Sequence, residues 1–302
     1  MKTRLLAGCP GLLGCFFTGV VILTTSSVRS QNLFVTEGGN IYEFTPVGVQ
    51  TTFASVPAFP QGIAFNPAGN LFATDLGGNI DEFTPGGVET TFATGLNFPQ
   101  GIAIDSAGNV FVADSNNHDI DKFTPGGVKS IFASGLYGGP EGLAFDSHGS
   151  LYLSVVTGTI YKFTSGGVRS TFATGLKGPS GLAFDSYGNL FEADHDSNTI
   201  NKFTSVGARS TFATGLNGPE GLAFDNQGNL YEADNSSDNI YEFTPGGVRT
   251  SVDGSPDPEY LAFQPAAVPE PAAFGLVGSG TLLALSIHGW LWRRTRVGNI
   301  AF

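Results

Sequence analysis

The chain has few of the residue types on which much protein chemistry depends. It holds only two cysteines in 302 residues, Cys9 and Cys15, and both lie within its first 30 residues. The remainder therefore has no thiol for a disulfide bond, a cysteine nucleophile, a thiolate-bound zinc ion or an iron–sulfur cluster. Histidine is also scarce, at four in the whole chain. Few side chains can therefore act as a base near neutral pH.

Basic side chains are scarce as well. Residues 31–268 carry 25 acidic and eight basic side chains, which gives a formal charge of −17. Binding to the phosphates of a nucleic acid needs a basic surface, so this composition argues against a nucleic-acid partner. The excess of carboxylates instead suits cations, or a partner that carries basic groups.

The most informative feature that is present is a repeat every 39 to 41 residues. The element Gly-Leu-Ala-Phe-Asp or a close variant begins at Gly62, Gly101, Gly142, Gly181 and Gly221, and Tyr260–Gln264 is a sixth copy. Each unit contains four short runs rich in Phe, Tyr, Ile and Val, separated by Gly, Pro and Asn, which is typical of β-strands. Four strands in a unit of this length predict the blade of a β-propeller.

The two ends of the repeat region predict how the propeller closes. Three predicted strands within residues 32–53 lack a first strand, and the sixth copy after residue 260 has no strands following it. Together they complete one blade, and the five whole units supply five more. We therefore predict an all-β fold, a six-bladed propeller over residues 31–264 with four strands per blade. Closure by N-terminal strands plus a C-terminal strand leaves the ring no open end.

The repeated motif resembles that of a known family. It reads Pro-x-Gly-Leu-Ala-Phe-Asp, then Gly-Asn-Leu-Phe-x-Ala-Asp, then Asn-x-Ile-x-x-Phe, and residues 114–123 are especially similar to the NHL repeat. The resemblance implies a six-bladed propeller. Propellers of this kind serve as binding scaffolds, lyases and lactonases, so the family does not determine a function.

Both ends of the chain predict export. Lys2 and Arg4 precede a long apolar stretch that ends in small residues, which is typical of a signal peptide over residues 1–30; an uncleaved anchor is the alternative. Residues 265–271 form a predicted linker that contains the Pro269-Glu270-Pro271 motif. The uncharged stretch 272–292 is long enough for a transmembrane helix. The basic residues after it, Arg293, Arg294 and Arg296, predict a cytoplasmic C-terminus.

The order Pro-Glu-Pro, apolar helix, arginine cluster resembles the PEP-CTERM sorting signal of bacterial exported proteins. The resemblance implies that residues 272–302 are a transmembrane sorting helix with a basic tail, processed by a membrane protease of the exosortase type. It also implies an association with exopolysaccharide. We therefore expect a protein of the cell surface or extracellular matrix, anchored in the membrane before processing. A plain membrane anchor is the alternative for this segment.

Acidic side chains recur beside the predicted channel of the propeller. The residue just before the first strand of each blade, at the channel mouth, is Gln61, Gln100, Glu141, Ser180, Glu220 or Glu259. Because oxygen ligands favour calcium or magnesium, Glu141, Glu220 and Glu259 are candidate ligands for a Ca²⁺ ion. Solvated carboxylates bonded to nearby loops are the alternative. His195 is the candidate general base at this mouth, with a solvated loop histidine as the alternative.

A second series of acids ends the second strand of most blades. Asp194 and Asp234 of this series are candidate binding residues, although such carboxylates also tie down loops that contain Asn79 or Asn239. In the third unit Val155 stands at this position and Val156 follows it. We expect these two valines to form an apolar patch that borders a partner site.

The repeats are nearly uniform, which favours a scaffold over an enzyme with specialised loops. We therefore predict an exported, non-catalytic scaffold that binds protein or polysaccharide at the cell surface. The alternative is a calcium-dependent enzyme, similar to lactonases or lyases, that uses Glu141, Glu220, Glu259 and His195 at the channel mouth.

Overall fold

The computed structural model describes residues 31–253 and 257–265. The predicted signal peptide, the Pro269-Glu270-Pro271 motif and the helix and arginines that follow it lie outside these residues. Within the described part of the chain, no helix is long and apolar enough to cross a membrane.

The described residues form short strands of five or six residues and three single-turn 3₁₀ helices. In chain order the strands are β1 (Leu33–Glu37), β2 (Asn40–Phe44), β3 (Gln50–Ser55), β4 (Pro60–Phe65), β5 (Leu71–Asp75), β6 (Asn79–Phe83), β7 (Glu89–Thr94), β8 (Pro99–Ile104), β9 (Val110–Asp114), β10 (Asp119–Phe123), β11 (Lys129–Ala133), β12 (Pro140–Phe145), β13 (Leu151–Val155), β14 (Thr159–Phe163), β15 (Arg169–Thr174), β16 (Pro179–Phe184), β17 (Leu190–Asp194), β18 (Thr199–Phe203), β19 (Arg209–Thr214), β20 (Pro219–Phe224), β21 (Leu230–Asp234), β22 (Asn239–Phe243), β23 (Arg249–Asp253) and β24 (Pro258–Phe263). The 3₁₀ helices are Ser115–Asn117, His195–Ser197 and Asn235–Ser237.

The strands form six antiparallel sheets of four strands each, which confirms the predicted six-bladed propeller. Blades 1 to 5 are the consecutive groups β4–β7, β8–β11, β12–β15, β16–β19 and β20–β23. Blade 6 has the order β24-β1-β2-β3, so a C-terminal strand completes the N-terminal sheet. The pairing of β1 with β24 sets Leu33 opposite Phe263 and Val35 opposite Leu261.

Pairs of aromatic side chains join five of the six neighbouring pairs of blades in the described residues. Phe111 of β9 packs edge-to-face against Phe132 of its own outer strand and against Phe145 of the next blade, with both ring centroids at 5.1 Å. The equivalent rings Phe34, Tyr152, Phe191 and Tyr231 also pack edge-to-face against a ring of the next blade. In blade 1 the edge-to-face partner of Phe72 is Phe92 of its own blade. Such a pair contributes about 0.5–1.5 kcal/mol beyond its buried area. The repeated aromatic residues therefore stabilise the contacts between neighbouring blades.

The innermost strands approach one another too closely for a side chain at their third residue. A Cβ atom built on Gly62 would lie 2.6 Å from the carbonyl oxygen of Gln100 in the next blade, which no real contact allows. Blade 6 differs, because Tyr260 occupies the equivalent position and is buried. Its hydroxyl donates a hydrogen bond of 3.0 Å to Oε1 of Glu141 in blade 3. In a ring of six, blade 3 lies opposite blade 6, so Tyr260 reaches across the channel.

The inner strands begin two residues earlier than predicted. Each starts at a proline, so the residues expected just before the strand are its second residues. In blade 1, Pro60 pairs with Asp75, and the next regular pair is Ile63 with Ala73. Two residues of the inner strand therefore face one residue of β5, which is a β-bulge. The bulge turns Gln61 and its equivalents away from the regular strand alternation.

The antiparallel order of the strands gives the propeller two distinct faces. We call the loop face the one that carries the connections from second to third strand and from fourth strand to the next blade. We call the turn face the one that carries the short turns from first to second and from third to fourth strand. The loop face contains the channel mouth formed by the starts of the inner strands.

Two glutamates lie buried inside the sheet stack, at a position where other blades have apolar residues. Glu192 and Glu232 occupy the place of Leu153, which packs in the core between blades 2 and 3. Both have no exposed surface. Oε2 of Glu192 accepts a hydrogen bond of 2.9 Å from Nδ2 of Asn201, whereas neither carboxylate oxygen of Glu232 has a partner among the described residues. Burial raises the pKa of Glu192 to about 8 and that of Glu232 well above its ordinary value.

Because Glu192 is protonated in the folded protein, we expect the free energy of unfolding to fall as the pH rises. Because its pKa is about 8 in the folded protein against 4.5 ordinarily, the folded state binds a proton that the unfolded chain has lost between these pH values. Its contribution to stability is present below about pH 4.5 and is lost as the pH rises through about 8. Replacing Glu192 by Gln should remove this loss, which amounts to at most about 1.4 kcal/mol per pH unit.

Urea unfolding of wild type and Glu192→Gln between pH 5 and pH 9 measures the effect. The variant should gain stability relative to wild type as the pH rises. Glu89→Gln, which removes an exposed carboxylate, is the control. It should lower the raised pKa of Asp81, which lies at about 6, and should follow the wild-type profile at higher pH, where Asp81 is ionised. Parallel profiles for wild type and Glu192→Gln would show that Glu192 is not protonated in the fold.

Candidate functional site

The acids at the ends of the second strands hold the loop face together. Asp114, Asp194 and Asp234 are buried, and each accepts a backbone N–H from the loop that leads into its blade. Oδ2 of Asp234, for example, lies 2.9 Å from the amide nitrogen of Asn217, and Oδ2 of Asp194 lies 3.0 Å from that of Lys177. Asp194 and Asp234 therefore fix loops, as the alternative interpretation held, but these bonds go to the loops that lead into blades 4 and 5 and not to Asn239. At most 1% of either residue is exposed.

The expected valine patch is only half present. Val155 is 1% exposed and packs in the core between blades 2 and 3, so the prediction that it borders an exposed patch is wrong. The reason is that its strand position faces the neighbouring blade, where a valine replaces an acid without becoming accessible. Val156 is 43% exposed and does lie on the loop face.

The channel mouth brings together the predicted glutamates and the predicted histidine. Glu141 accepts the hydrogen bond from Tyr260, and Nε2 of His195 lies 3.9 Å from Oε1 of Glu220. Nδ1 of His195 lies 3.0 Å from Oδ1 of Asp196. Oε2 of Glu259 is buried and has no hydrogen-bond partner among the described residues. The sequence analysis did not predict a role for Tyr260 in this cluster. The signal was that Tyr260 replaces the glycine that the other five blades have at this position.

Burial raises the pKa of all three glutamates, and repulsion from neighbouring carboxylates adds to this at Glu220 and Glu259. Burial raises the pKa of Glu141 to about 7, opposed by the hydrogen bond from Tyr260 and the charge of His195. Burial and the carboxylates of Glu259, Glu141 and Asp257 raise the pKa of Glu220 to about 8. Burial and the charge of Asp257 raise the pKa of Glu259 to about 7. At neutral pH this cluster therefore holds protons that it can exchange.

Proton exchange near pH 7 is what a general acid or base requires. A metal site has stricter demands, because several ligands must converge on one point at fixed distances. Across residues 31–253 and 257–265, no group of three or more His, Asp or Glu side chains has such an arrangement. The observed geometry thus supports proton chemistry, and calcium binding by Glu141, Glu220 and Glu259 stays a prediction.

Around the mouth, the loop face is divided into an apolar and an acidic half. Blades 1 to 3 and the loops that lead into them expose large hydrophobic side chains, namely Phe59, Leu76, Phe98, Tyr137 and Val156. Blades 4 to 6 and the loops that lead into them instead expose acidic side chains on this face, namely Asp196, Asp238 and Asp257. The apolar half was missed from the sequence except for Val156. Its signal was the aromatic residue before Pro60 and Pro99, where three other repeats have Gly-Pro.

Two of these aromatic residues have an unfavourable backbone conformation. The residue before the inner-strand proline has a positive φ in all six blades. It is glycine in three of them, with φ of 80°, 81° and 71° at Gly139, Gly178 and Gly218. Phe59 and Phe98 adopt the same left-handed region, at 59° and 58°. A bulky residue rarely does so, and the conformation costs on the order of 1–2 kcal/mol.

Comparison with protein families finds two short matches. Residues 96–123 match the NHL repeat. The chain carries an NHL repeat, as its motif indicated. Residues 132–163 match the family described as strictosidine synthase-like, N-terminal. No curated protein sequence shows significant similarity to the chain.

Solved structures share the propeller fold at low sequence identity. A chain from the crystal structure of a nidogen/laminin complex is 21% identical with a TM-score of 0.70, over 78% of this chain and 98% of that one. Virginiamycin B lyase from Staphylococcus aureus is 17% identical with a TM-score of 0.59, over 74% and 82%. A gluconolactonase from Xanthomonas campestris is 18% identical with a TM-score of 0.58, over 67% and 78%. At these identities the likeness concerns the fold alone.

The hydrogen bond across the channel makes a direct prediction for Glu141. Because the Tyr260 hydroxyl favours the ionised form of this carboxylate, Tyr260→Phe should raise the pKa of Glu141 above about 7. Carbon-13 NMR titration of the glutamate carboxyl groups measures it. Tyr42→Phe, which alters a tyrosine in the outer half of blade 6, is the control and should leave the Glu141 titration unchanged. An unshifted Glu141 in Tyr260→Phe would show that the hydrogen bond does not form in solution.

Proposed function

We propose that the protein is an exported scaffold whose loop face binds a protein partner. The observation that supports this most is the pair of exposed phenylalanines at left-handed backbone positions, Phe59 and Phe98. Glycine satisfies the same position in three other blades without strain. A side chain that is both strained and exposed contributes little to folding, and such outliers cluster at functional sites.

The surroundings of the two phenylalanines suit a protein interface. Tyr137, Leu76 and Val156 extend the apolar surface on the same half of the loop face. Interfaces between proteins are enriched in exposed aromatic anchors, and few monomers expose contiguous apolar patches without a partner. The acidic half beyond the channel mouth complements basic side chains. The partner we propose therefore presents an apolar segment flanked by Lys or Arg.

The comparison with solved structures is compatible with this proposal. The chain with a TM-score of 0.70 comes from a complex of nidogen with laminin, which is an assembly of two proteins. A propeller therefore serves as part of a protein complex in at least that relative, although its low identity carries nothing about the residues used here.

Export to the cell surface remains part of the proposal. It rests on the signal-peptide pattern of residues 1–30 and on the Pro269-Glu270-Pro271 motif followed by Arg293, Arg294 and Arg296. We propose processing by an exosortase-type enzyme, with the helix over residues 272–292 as the anchor until then. Exopolysaccharide is a second partner class that this location suits.

Replacing both phenylalanines by glycine separates binding from folding. The double variant Phe59→Gly/Phe98→Gly should keep its free energy of unfolding within about 1 kcal/mol of wild type, because relief of strain offsets lost packing. It should bind its protein partner at least tenfold more weakly, since truncating an aromatic anchor of an interface costs more than about 1.4 kcal/mol. The matched control, Val128→Ala/Val168→Ala, removes two exposed valines from the turn face.

The measurement starts with immobilised wild type, which captures proteins from envelope and extracellular fractions. Each captured protein is then purified. Calorimetry determines its affinity for wild type, for Phe59→Gly/Phe98→Gly and for Val128→Ala/Val168→Ala. A partner that binds the double variant as tightly as wild type would contradict the loop-face proposal, as would a partner lost only from the turn-face control.

A second candidate is an enzyme at the channel mouth. The observation that favours it is the meeting of His195 with Glu220, beside the Glu141–Tyr260 hydrogen bond, in a cluster that exchanges protons near pH 7. There His195 would take a proton from a water molecule as the water oxygen bonds to the carbonyl carbon of the substrate, and a protonated glutamate would supply a proton to the ring oxygen as its bond to that carbon breaks. Lactones and cyclic esters are the substrate class to examine.

A lactone panel with added calcium tests this candidate. Turnover by wild type that falls at least a hundredfold in both His195→Gln and Glu220→Gln would support it. Calorimetric titration of calcium into wild type and Glu220→Gln examines the predicted ion separately. Absence of turnover, or turnover unaffected by the two substitutions, would contradict an active site at the mouth.

A further inference from the structure

The turn face carries clefts between neighbouring blades, and two of them adjoin. The cleft between blades 4 and 5 has a volume of about 310 Å³, and the cleft between blades 3 and 4 has a volume of about 340 Å³. Tyr187 lines both of them. Its side chain is 87% exposed, so an aromatic ring stands free at the border between the two clefts.

Each cleft combines an aromatic wall with hydrogen-bonding groups at its rim. In the first, Phe191 and Phe212 form part of the wall beneath Lys202, whose ammonium lies 5.0 Å from the centre of the Phe191 ring. In the second, Lys162 lies 4.9 Å from the centre of the Tyr152 ring. The rims add side chains that both donate and accept hydrogen bonds; they include His148, Ser147, Asn226, Gln227 and Thr244.

Blades 1 and 2 have no large polar or aromatic side chain at the equivalent turn. The exposed residue before the turn glycine is Ala68 in blade 1 and Ala107 in blade 2, but His148, Tyr187 and Gln227 in blades 3 to 5. The cleft between blades 1 and 2 is smaller, at about 240 Å³, and is lined by Glu82 where the others have lysine. The clefts of blades 3 to 5 are therefore a local specialisation on a uniform scaffold.

The lysine of each cleft is paired with an aspartate, and the cleft between blades 4 and 5 holds one further carboxylate, Asp225, which accepts a hydrogen bond from Asn229. The ammonium of Lys162 lies 3.3 Å from Asp146, and that of Lys202 lies 3.6 Å from Asp185. A ligand that carries no net charge complements such a surface. An acidic ligand would also be repelled by the remainder of the propeller, which is strongly negative.

The chemistry and the repetition of the clefts define the class of ligand. Sugar rings present apolar C–H faces that stack on aromatic rings, together with hydroxyls that both donate and accept hydrogen bonds. Two equivalent clefts that follow one another suit a ligand that repeats in the same way. We propose that these clefts bind consecutive sugar units of an uncharged polysaccharide, with Tyr187 stacked between them. This site is separate from the loop face, so the protein would join a protein partner to a glycan.

Native gel electrophoresis through gels that contain polysaccharide tests the proposal with the full chain. The probes are dextran, galactomannan and hydroxyethyl cellulose, which are neutral, and alginate, which is acidic. Wild type should be retarded by at least one neutral polymer, and 0.5 M NaCl should not abolish the retardation. Tyr187→Ala should weaken binding roughly fivefold to tenfold, whereas Tyr187→Phe, which keeps the ring, should bind as wild type.

Two control proteins make the outcome specific. Tyr137→Ala removes a tyrosine from the loop face that is 76% exposed, against 87% for Tyr187, and should bind the polymer as wild type does. The Phe59→Gly/Phe98→Gly variant should also bind it normally, so failure of the loop-face proposal would not affect this result. The proposal is overturned if no neutral polymer retards wild type, if only alginate does so, or if Tyr187→Ala and Tyr137→Ala behave alike.

Discussion

The pairing of β1 with β24 is the contact on which the rest of the molecule depends. It joins residues more than 220 positions apart in the chain, and it continues past the strands in the bond from the Gln264 amide to the carbonyl of Asn32. Without it, blade 6 would lack its inner strand and the blades on either side would expose their facing aromatic rings. Closure also brings Tyr260 to the axis, because this residue belongs to the closing strand. The polar cluster at the channel mouth is thus a product of closure.

The proposed binding sites of this propeller lie where its residues depart from the repeat. The residues that join blades, the edge-to-face rings and the glycines of the inner strands, are nearly the same in every unit. The features that argue for binding are single replacements on that background: phenylalanine for glycine on the loop face, tyrosine for glycine in the channel, and tyrosine for alanine on the turn face. Each replacement changes one exposed or channel-lining side chain, and Tyr260 is the one that falls at a glycine position of the inner strands.

Charge in the folded protein differs from charge counted along the chain. Glu192 and Glu232 lie between blades without exposed surface, and burial raises the pKa of both. Burial also raises the pKa of the three glutamates at the channel mouth, and neighbouring carboxylates raise it further at Glu220 and Glu259. The protein at neutral pH is therefore less negative than its formal count. The cost of burying these carboxyl groups is offset by the large apolar contacts around them.

The repeat alone determined the fold, because a unit with four strand-length apolar runs, cut at fixed places by Gly, Pro and Asn, has few other ways to bury its side chains. It also determined which residues stand at the channel mouth, since the same position recurs in each blade. It did not determine that Val155 is buried, because the sequence pattern does not distinguish a strand position that faces a neighbouring blade from one that faces solvent. Nor did it reveal that Tyr260 would meet Glu141, or that Phe59 and Phe98 would share a surface. Those are contacts between distant blades, and only the closed ring brings them together.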